Sequence, residues 1–191
     1  MKPDVLIVGA GLSGLCCARR LQQQGLRCLV LEASDGVGGR IRTDIVDGFR
    51  LDRGFQVFLT SYPEAKRVLD YDSLQLKPFL PGALVRFNGR FYELTDPWRR
   101  PFAAIRLLHS PIGSLADKFR VAVLRHRSLR GTIEDRFQDP ETTTLQRLQS
   151  IGFSVAMIDR FLKPFLGGIF LEPQLQTSSR MLHFVFRMLS T

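Results

Sequence analysis

Two short apolar runs near the start of the chain, Val5-Leu-Ile-Val8 and Cys28-Leu-Val-Leu31, have the length and composition of buried strands. Between them Leu12, Leu15, Ala18 and Leu21 recur at helical spacing, and Gly25 ends that pattern. A strand, a glycine-rich turn, a helix and a second strand predict a βαβ unit, with its two strands parallel and its crossover right-handed. Further on, the period changes. Asp47-Gly48 separates Thr43–Val46 from Phe49–Leu51, and Asn88-Gly89 separates Ala83–Phe87 from Arg90–Leu94. Both dipeptides favour the positive φ angles of a tight hairpin turn, so two antiparallel pairs are expected outside the parallel sheet.

Beyond the first hairpin the pattern turns mainly helical. Ser61-Tyr-Pro-Glu64 predicts a helix to about Leu69, with Ser61 a candidate cap and Pro63 in the first turn. Helical spacing also covers 98–108, 115–129, Thr144–Gln149, Val155–Phe165 and Ser178–Leu189, with Pro164 a kink or break. Two domains follow from this ordering: a dinucleotide-binding portion over 1–58, and a mixed, mainly helical portion over 59–191 that carries the hairpin at 83–94.

Composition adds three constraints. With 45% hydrophobic and 24% charged residues, the chain resembles a globular protein with a buried core. No run of about 18 apolar residues suggests a membrane span, and no cleavage-site pattern suggests a signal peptide. Cys16, Cys17 and Cys28 are odd in number and fall on the first helix and second strand, where they are expected as small core residues in a reducing compartment: cytoplasm, or plastid stroma.

The net charge of +9 is local. Residues 97–131 carry eight basic side chains and one acidic, against thirteen and eleven in 1–96 and six of each in 132–191. Arg99, Arg100, Arg106, Lys118, Arg120, Arg125, Arg127 and Arg130 interleave there with Leu107, Leu108, Leu115, Phe119, Val123 and Leu124. This is the composition of a basic amphipathic surface. No nucleic-acid motif accompanies it, so a solvated face or peripheral contact with an anionic membrane is expected instead of nucleic acid.

The chemistry lies in Gly9-Ala-Gly11-Leu-Ser-Gly14, which follows a strand and opens a helix. Gly9 permits the tight turn, Gly11 leaves room for a diphosphate, and Gly14 allows the helix to approach the strand. The exposed N–H groups of the helix start, at Leu12 and Ser13, favour an anion there. Glu32 ends the second strand 18 positions after Gly14, beside the expected adenosine ribose, with Ala33 following. A carboxylate there accepts from ribose hydroxyls and repels a 2′-phosphate. Dinucleotide binding is thus expected and NADP disfavoured, with FAD and NAD both open. His109, His126 and His183 have no metal-ligand spacing and no C-x-x-C pair is present, so no metal site is expected.

The combination of Val5–Leu15, Glu32 and Gly38-Gly39-Arg40 resembles the N-terminus of the flavin amine oxidase superfamily, which spans amine oxidases, protoporphyrinogen oxidases and phytoene-desaturase-like enzymes. That resemblance implies FAD, an α/β fold with a Rossmann-type FAD-binding unit, and a mixed, mainly helical substrate domain inserted into it. It implies that Gly38, Gly39 and Arg40 lie against the ribityl-diphosphate, and that Gly54, Phe55 and Gln56 pass near the flavin ring. Phe55, Val57 and Phe58 also fit an ordinary core. Lys163–Pro173 and Thr177–Arg180 resemble a substrate-domain segment of the desaturase-like branch, which tilts the expected chemistry towards hydride removal across a C–C or C–N bond of an apolar substrate. The family closes its FAD site with a C-terminal segment that is not visible here, so the chain is expected to be an N-terminal fragment. A fragment that binds nucleotide without turnover is the alternative.

Overall fold

The computed structural model describes residues 2–54, 57–102, 107 and 109–191. The described residues divide into two compact units, at residues 1–70 and 71–191.

In the first unit β1 (Val5–Val8) and β2 (Cys28–Leu31) pair in parallel, with Val5 opposite Cys28 and Val8 opposite Leu31, and α1 (Leu12–Gln22) connects them. Arg19 and Arg20 in the last turn of α1 complement the helix dipole. The ladder continues past β1, because Gly9 N–H donates to the Leu31 carbonyl at 2.7 Å. β3 (Thr43–Val46) and β4 (Phe49–Asp52) form a separate antiparallel hairpin, with Asp47 at φ 51° and Gly48 at φ 81° as the turn chemistry requires. The short α2 (Pro63–Val68) belongs to this unit, and Arg19 of α1 donates to its Val68 carbonyl. Its N-cap is Tyr62 and not Ser61: a residue before proline is pushed into extended conformation, and Tyr62 has ψ 118°.

Among the described residues of this unit few apolar side chains are buried: Ile7, Ala10 and Ala18. The cysteines were expected in a core, yet Cys17 is exposed and Cys16 and Cys28 are half-buried, all as free thiols. A two-stranded sheet with one helix has more apolar faces than it covers, and α1 buries only Ala18.

The second unit opens with β5 (Gly82–Phe87) and β6 (Arg90–Thr95), paired antiparallel around Asn88 at φ 48° and Gly89 at φ 75°. Side chains alternate along β5, so Ala83, Val85 and Phe87 turn inward and Leu84 and Arg86 outward. Of the helix expected over 98–108, residues 103–106 and 108 lie outside the described residues; Trp98 and Arg99 form a turn instead, and helix begins at Pro101. α3 (Leu115–Leu129), α4 (Ile133–Phe137) and α5 (Thr144–Ile151) each start with a reciprocal cap, formed by Ser114 with Asp117, Thr132 with Asp135, and Thr143 with Gln146. Each such cap contributes about 1 kcal/mol. The chain continues through α6 (Val155–Met157), a π-helical turn at Ile158–Leu162, α7 (Lys163–Phe170) and α8 (Ser179–Ser190). Pro164 does not break the helix. The π turn just ahead of it absorbs the hydrogen bond that proline cannot donate, and α7 runs on.

The core of this unit gathers Leu94, Ile112, Leu124, Leu148, Phe153, Met157, Ile158, Leu162, Leu166, Leu175 and Leu182. Two polar groups are buried with it. The Asp117 carboxylate accepts from Ser114 N–H and Oγ–H and from Ser154 N–H and Oγ–H, at 2.7–2.8 Å, and so holds the starts of α3 and α6 together. Burial opposes its ionisation, but these four bonds outweigh that and hold its pKa at about 2. His183 of α8 lies between α3 and α5. Arg147 Nε donates to its Nε2 at 3.3 Å and its Nδ1 lies 2.9 Å from Ser128 Oγ, which in turn donates to the Leu124 carbonyl. An arginine only donates, so Nε2 must accept and the proton sits on Nδ1. No helix among the described residues is long and apolar enough to cross a membrane.

Candidate functional site: a glycine-lined helix start

The three glycines of Gly9-Ala-Gly11-Leu-Ser-Gly14 have separable reasons. Gly9 sits at φ 97°, a conformation L-residues rarely adopt. A Cβ on Gly14 would lie 2.0 Å from the Gly9 carbonyl oxygen, so this glycine is demanded by the approach of α1 to β1. Gly11 differs from both. Its φ of −75° suits any residue, and a Cβ there would meet no atom within 4 Å. Nothing in the described chain requires Gly11 to lack a side chain, whereas a ligand seated on the helix start would.

That helix start suits an anion. Gly11 is the N-cap, no side chain caps the exposed N–H groups, and the first turn, with Leu12 and Ser13 both exposed, contains no acidic residue. The starts of α3, α4, α5, α6 and α8 are each capped by a serine or threonine side chain, and that of α1 is not. Its free donors and the positive end of the helix dipole point to one place.

Glu32 lies directly beyond β2 and reaches back to this loop. Its Oε2 accepts from Ala10 N–H at 2.6 Å and its Oε1 from Ser34 N–H at 2.9 Å. The bond from Ser34, then that from Ala10, hold its pKa at about 2, so the carboxylate is ionised across the physiological range. Glu32 and the neighbouring Ala33 are exposed, and each Glu32 oxygen retains capacity for a further donor. A ribose diol supplies two.

The second glycine group packs against the first. Gly38 forms a parallel bridge to Gly11 and donates from its N–H to the Ala10 carbonyl at 2.8 Å. A Cβ on Gly39 would lie 3.2 Å from Gly11 Cα. Arg40 follows in a 3₁₀ turn over Gly39–Ile41, exposed and without a hydrogen-bond or ion-pair partner among the described residues. The structure therefore brings Gly9, Ala10, Gly11, Glu32, Gly38 and Gly39 into one cradle with Arg40 at its edge. Gly54 has a reason internal to the chain, since a Cβ there would meet the Arg40 carbonyl oxygen at 2.1 Å. Phe55 and Gln56, expected beside it, lie outside the described residues.

One group escaped the sequence reading. Arg42 makes a bidentate pair with Asp35 at 2.6 and 3.1 Å and also approaches Asp44 at 3.4 Å, while Arg53 pairs with Asp44 at 2.5 and 2.9 Å. Arginine contact holds both carboxyls below the usual range, Asp35 through Arg42 and Asp44 through Arg53. This chain of charges ties the loop before the second glycine group to the β3–β4 hairpin. Its signal was the hairpin register, which sets Thr43 opposite Asp52 and so brings Arg53 near Asp44.

The segment Lys163–Arg180 is held by its own contacts. The Glu172 carboxylate gathers the N–H groups of Gln174, Gln176 and Thr177, and the Arg180 guanidinium donates to the Asp139 carbonyl at 2.9 and 3.1 Å.

A family model described as flavin containing amine oxidoreductase matches residues 12–190. The chain belongs to that family. FAD is its cofactor, and the cradle fits that group, since an open glycine, an uncapped helix start and an ionised carboxylate are what a diphosphate flanked by a ribose needs. Protoporphyrinogen oxidase 2, chloroplastic/mitochondrial, of Arabidopsis thaliana is 28% identical over 165 residues, covering 86% of this chain and 32% of that protein. Coproporphyrinogen III oxidase of Propionibacterium freudenreichii subsp. freudenreichii is 32% identical over 180 residues, covering 87% and 31%. A solved putrescine oxidase superposes with a TM-score of 0.65 at 23% identity over 100% of this chain and 44% of that one, a likeness of fold. The chain spans about a third of the length of the two porphyrinogen oxidases it matches.

Proposed function

We propose that this chain supplies the FAD-holding cradle and part of the substrate domain of an oxidoreductase that removes a hydride across a C–C or C–N bond of an apolar substrate. The observation that carries the reading is Gly11, a glycine with ordinary φ and open space beside it at an uncapped helix start. The first turn of α1 would receive the diphosphate, and Glu32 would accept from the ribose hydroxyls while remaining anchored to Ala10 and Ser34. Arg40 stands where its guanidinium would meet an anionic oxygen. The flavin supplies hydride acceptance when bound, and the chain's share is to hold and orient it.

Within that class the relatives favour a porphyrinogen-type substrate over an amine. The two porphyrinogen oxidases match most of this chain, whereas Arabidopsis polyamine oxidase 2 matches 52 residues, 27% of it. A second reading rests on the coverage: a chain spanning about a third of its relatives would hold nucleotide without turnover.

The test is the visible spectrum of the 191-residue chain after incubation with FAD and desalting, beside Gly11→Val. Flavin absorbance kept by the parent and lost by the variant, with unchanged far-ultraviolet dichroism, is the expected result. Reduction of that flavin by a porphyrinogen would favour turnover, and a retained but unreactive flavin would favour the second reading. Flavin washing out of both chains would sink the proposal that this portion suffices to hold the cofactor.

A further inference from the structure

The basic excess of residues 97–131 contains one acidic side chain, Asp117, and it is wholly buried as the cap of two helices. The outward surface of α3 is therefore free of carboxylate. Along one side of this helix run Leu115 and Phe119, exposed at 62% and 71%, followed by Val123 and then His126, Arg127 and Arg130, the last three all exposed. At 100° per residue these positions fall within a single stripe, apolar at its N-terminal end and cationic at its C-terminal end. A groove of about 380 Å³ between α3 and α5 continues the stripe, with Phe119, Val123 and Ile151 as its apolar wall and Arg120 and Arg127 beside them.

Other cations of the segment are committed elsewhere. Arg125 lies over the Trp98 ring at 4.4 Å and donates to the Ser190 carbonyl, and Lys118 donates to the Ser110 carbonyl. Arg127 and Arg130 make no side-chain hydrogen bond or ion pair among the described residues. A large exposed aromatic and uncommitted guanidiniums on a helix whose own outward surface has no carboxylate match a surface that offers negative charge above and hydrocarbon below. A duplex nucleic acid would use the guanidiniums but leave Leu115 and Phe119 in water.

We propose that the outward face of α3 docks on an anionic lipid surface, with Leu115 and Phe119 entering the headgroup boundary and Arg127 and Arg130 meeting lipid phosphates. An interfacial helix buries its apolar face about 5–10 Å deep in this way. The face lies within the second unit and rests on no reading of the flavin cradle.

The test is co-sedimentation of the 191-residue chain with vesicles of phosphatidylcholine mixed with phosphatidylglycerol, against vesicles of phosphatidylcholine alone, at low and high salt. Pelleting with the mixed vesicles only, weakened by salt, is expected. Arg127→Ala with Arg130→Ala should lower the partition coefficient by about 25-fold, from about fivefold for each cation near the surface. Phe119→Ser should lower it by about tenfold. Both variants alter exposed positions, and thermal melting checks that they fold. Pelleting that ignores lipid charge, or that survives Phe119→Ser, would overturn the proposal. So would a chain that leaves vesicles in solution yet binds an RNA or DNA duplex through Arg127 and Arg130, which would assign the face to nucleic acid.

Discussion

The two units place their polar groups in opposite ways. In residues 71–191 the decisive polar atoms are buried and fully used: Asp117 spends its carboxylate on two helix starts, and His183 uses both ring nitrogens between three helices. In residues 1–70 the decisive groups are exposed and partly unused: the α1 start is uncapped, Arg40 has no partner among the described residues, and Glu32 keeps spare acceptor capacity. The apolar side chains follow the same division, since the long core cluster lies wholly within the second unit. Satisfied polar groups build stability; unsatisfied ones at a surface await a ligand. The difference separates the unit that holds its own shape from the unit that is shaped to hold something else.

The glycines test this division most severely. Gly14→Val would drive a side chain into the Gly9 carbonyl, so it should prevent α1 from seating on β1 and remove the native far-ultraviolet signature of the first unit. Gly11→Val, three residues away, should leave that signature intact, because its Cβ enters open space. Both should abolish flavin retention, and only calorimetry or dichroism tells them apart. Equal damage to folding from the two substitutions would mean that Gly11 has a role within the chain, and the case for a ligand-facing glycine would fall.

These glycines also show what the sequence could disclose. The positions of Gly9, Gly11 and Gly14 between a strand and a helix, and the two hairpins at Asp47-Gly48 and Asn88-Gly89, are local patterns, and local sterics decide them. The bond from Ala10 N–H to Glu32 spans 22 residues and exists only once β1 and β2 have paired. Asp117, the one acid in the cationic run, carries no local sign of its role, because its second partner, Ser154, lies 37 residues away. Pro164 looked like a kink or break because the π turn that accommodates it is a backbone adjustment with no residue signature of its own. What escaped the sequence is what depends on distant segments meeting.

Asp117 gives the next largest effect. Asp117→Ala would leave four donors of Ser114 and Ser154 without their acceptor inside the protein, and should cost about 3 kcal/mol by denaturant unfolding. Asp117→Asn keeps one acceptor oxygen and should cost less. The flavin-holding unit should be indifferent to both, so their melting should shift while FAD retention at low temperature stays as in the parent. A loss of flavin in step with the loss of stability would show that the two units do not behave as separately as their polar groups suggest.

His183 provides the gentlest test, because it needs no packing change in the parent. Burial first, and the Arg147 charge second, push its pKa down to about 4 from the ordinary 6.5. In the unfolded chain the imidazole takes up its proton near pH 6.5, while in the folded chain it resists until about pH 4. Between those values the unfolded state binds more protons, so stability must fall as pH falls, by about 3 kcal/mol across the whole interval at 1.36 kcal/mol per unit. The Asp117 contribution is lost only lower, as pH drops from the usual carboxylate range towards about 2. His183→Gln keeps an acceptor for Arg147 and a donor for Ser128 but does not titrate. Its melting temperature should sit slightly below the parent's at pH 7.5 and lose the parent's decline between pH 6.5 and 4. If the parent shows no decline in that interval, His183 is already protonated in the fold, and the Nδ1–H tautomer assigned from the Arg147 contact is wrong.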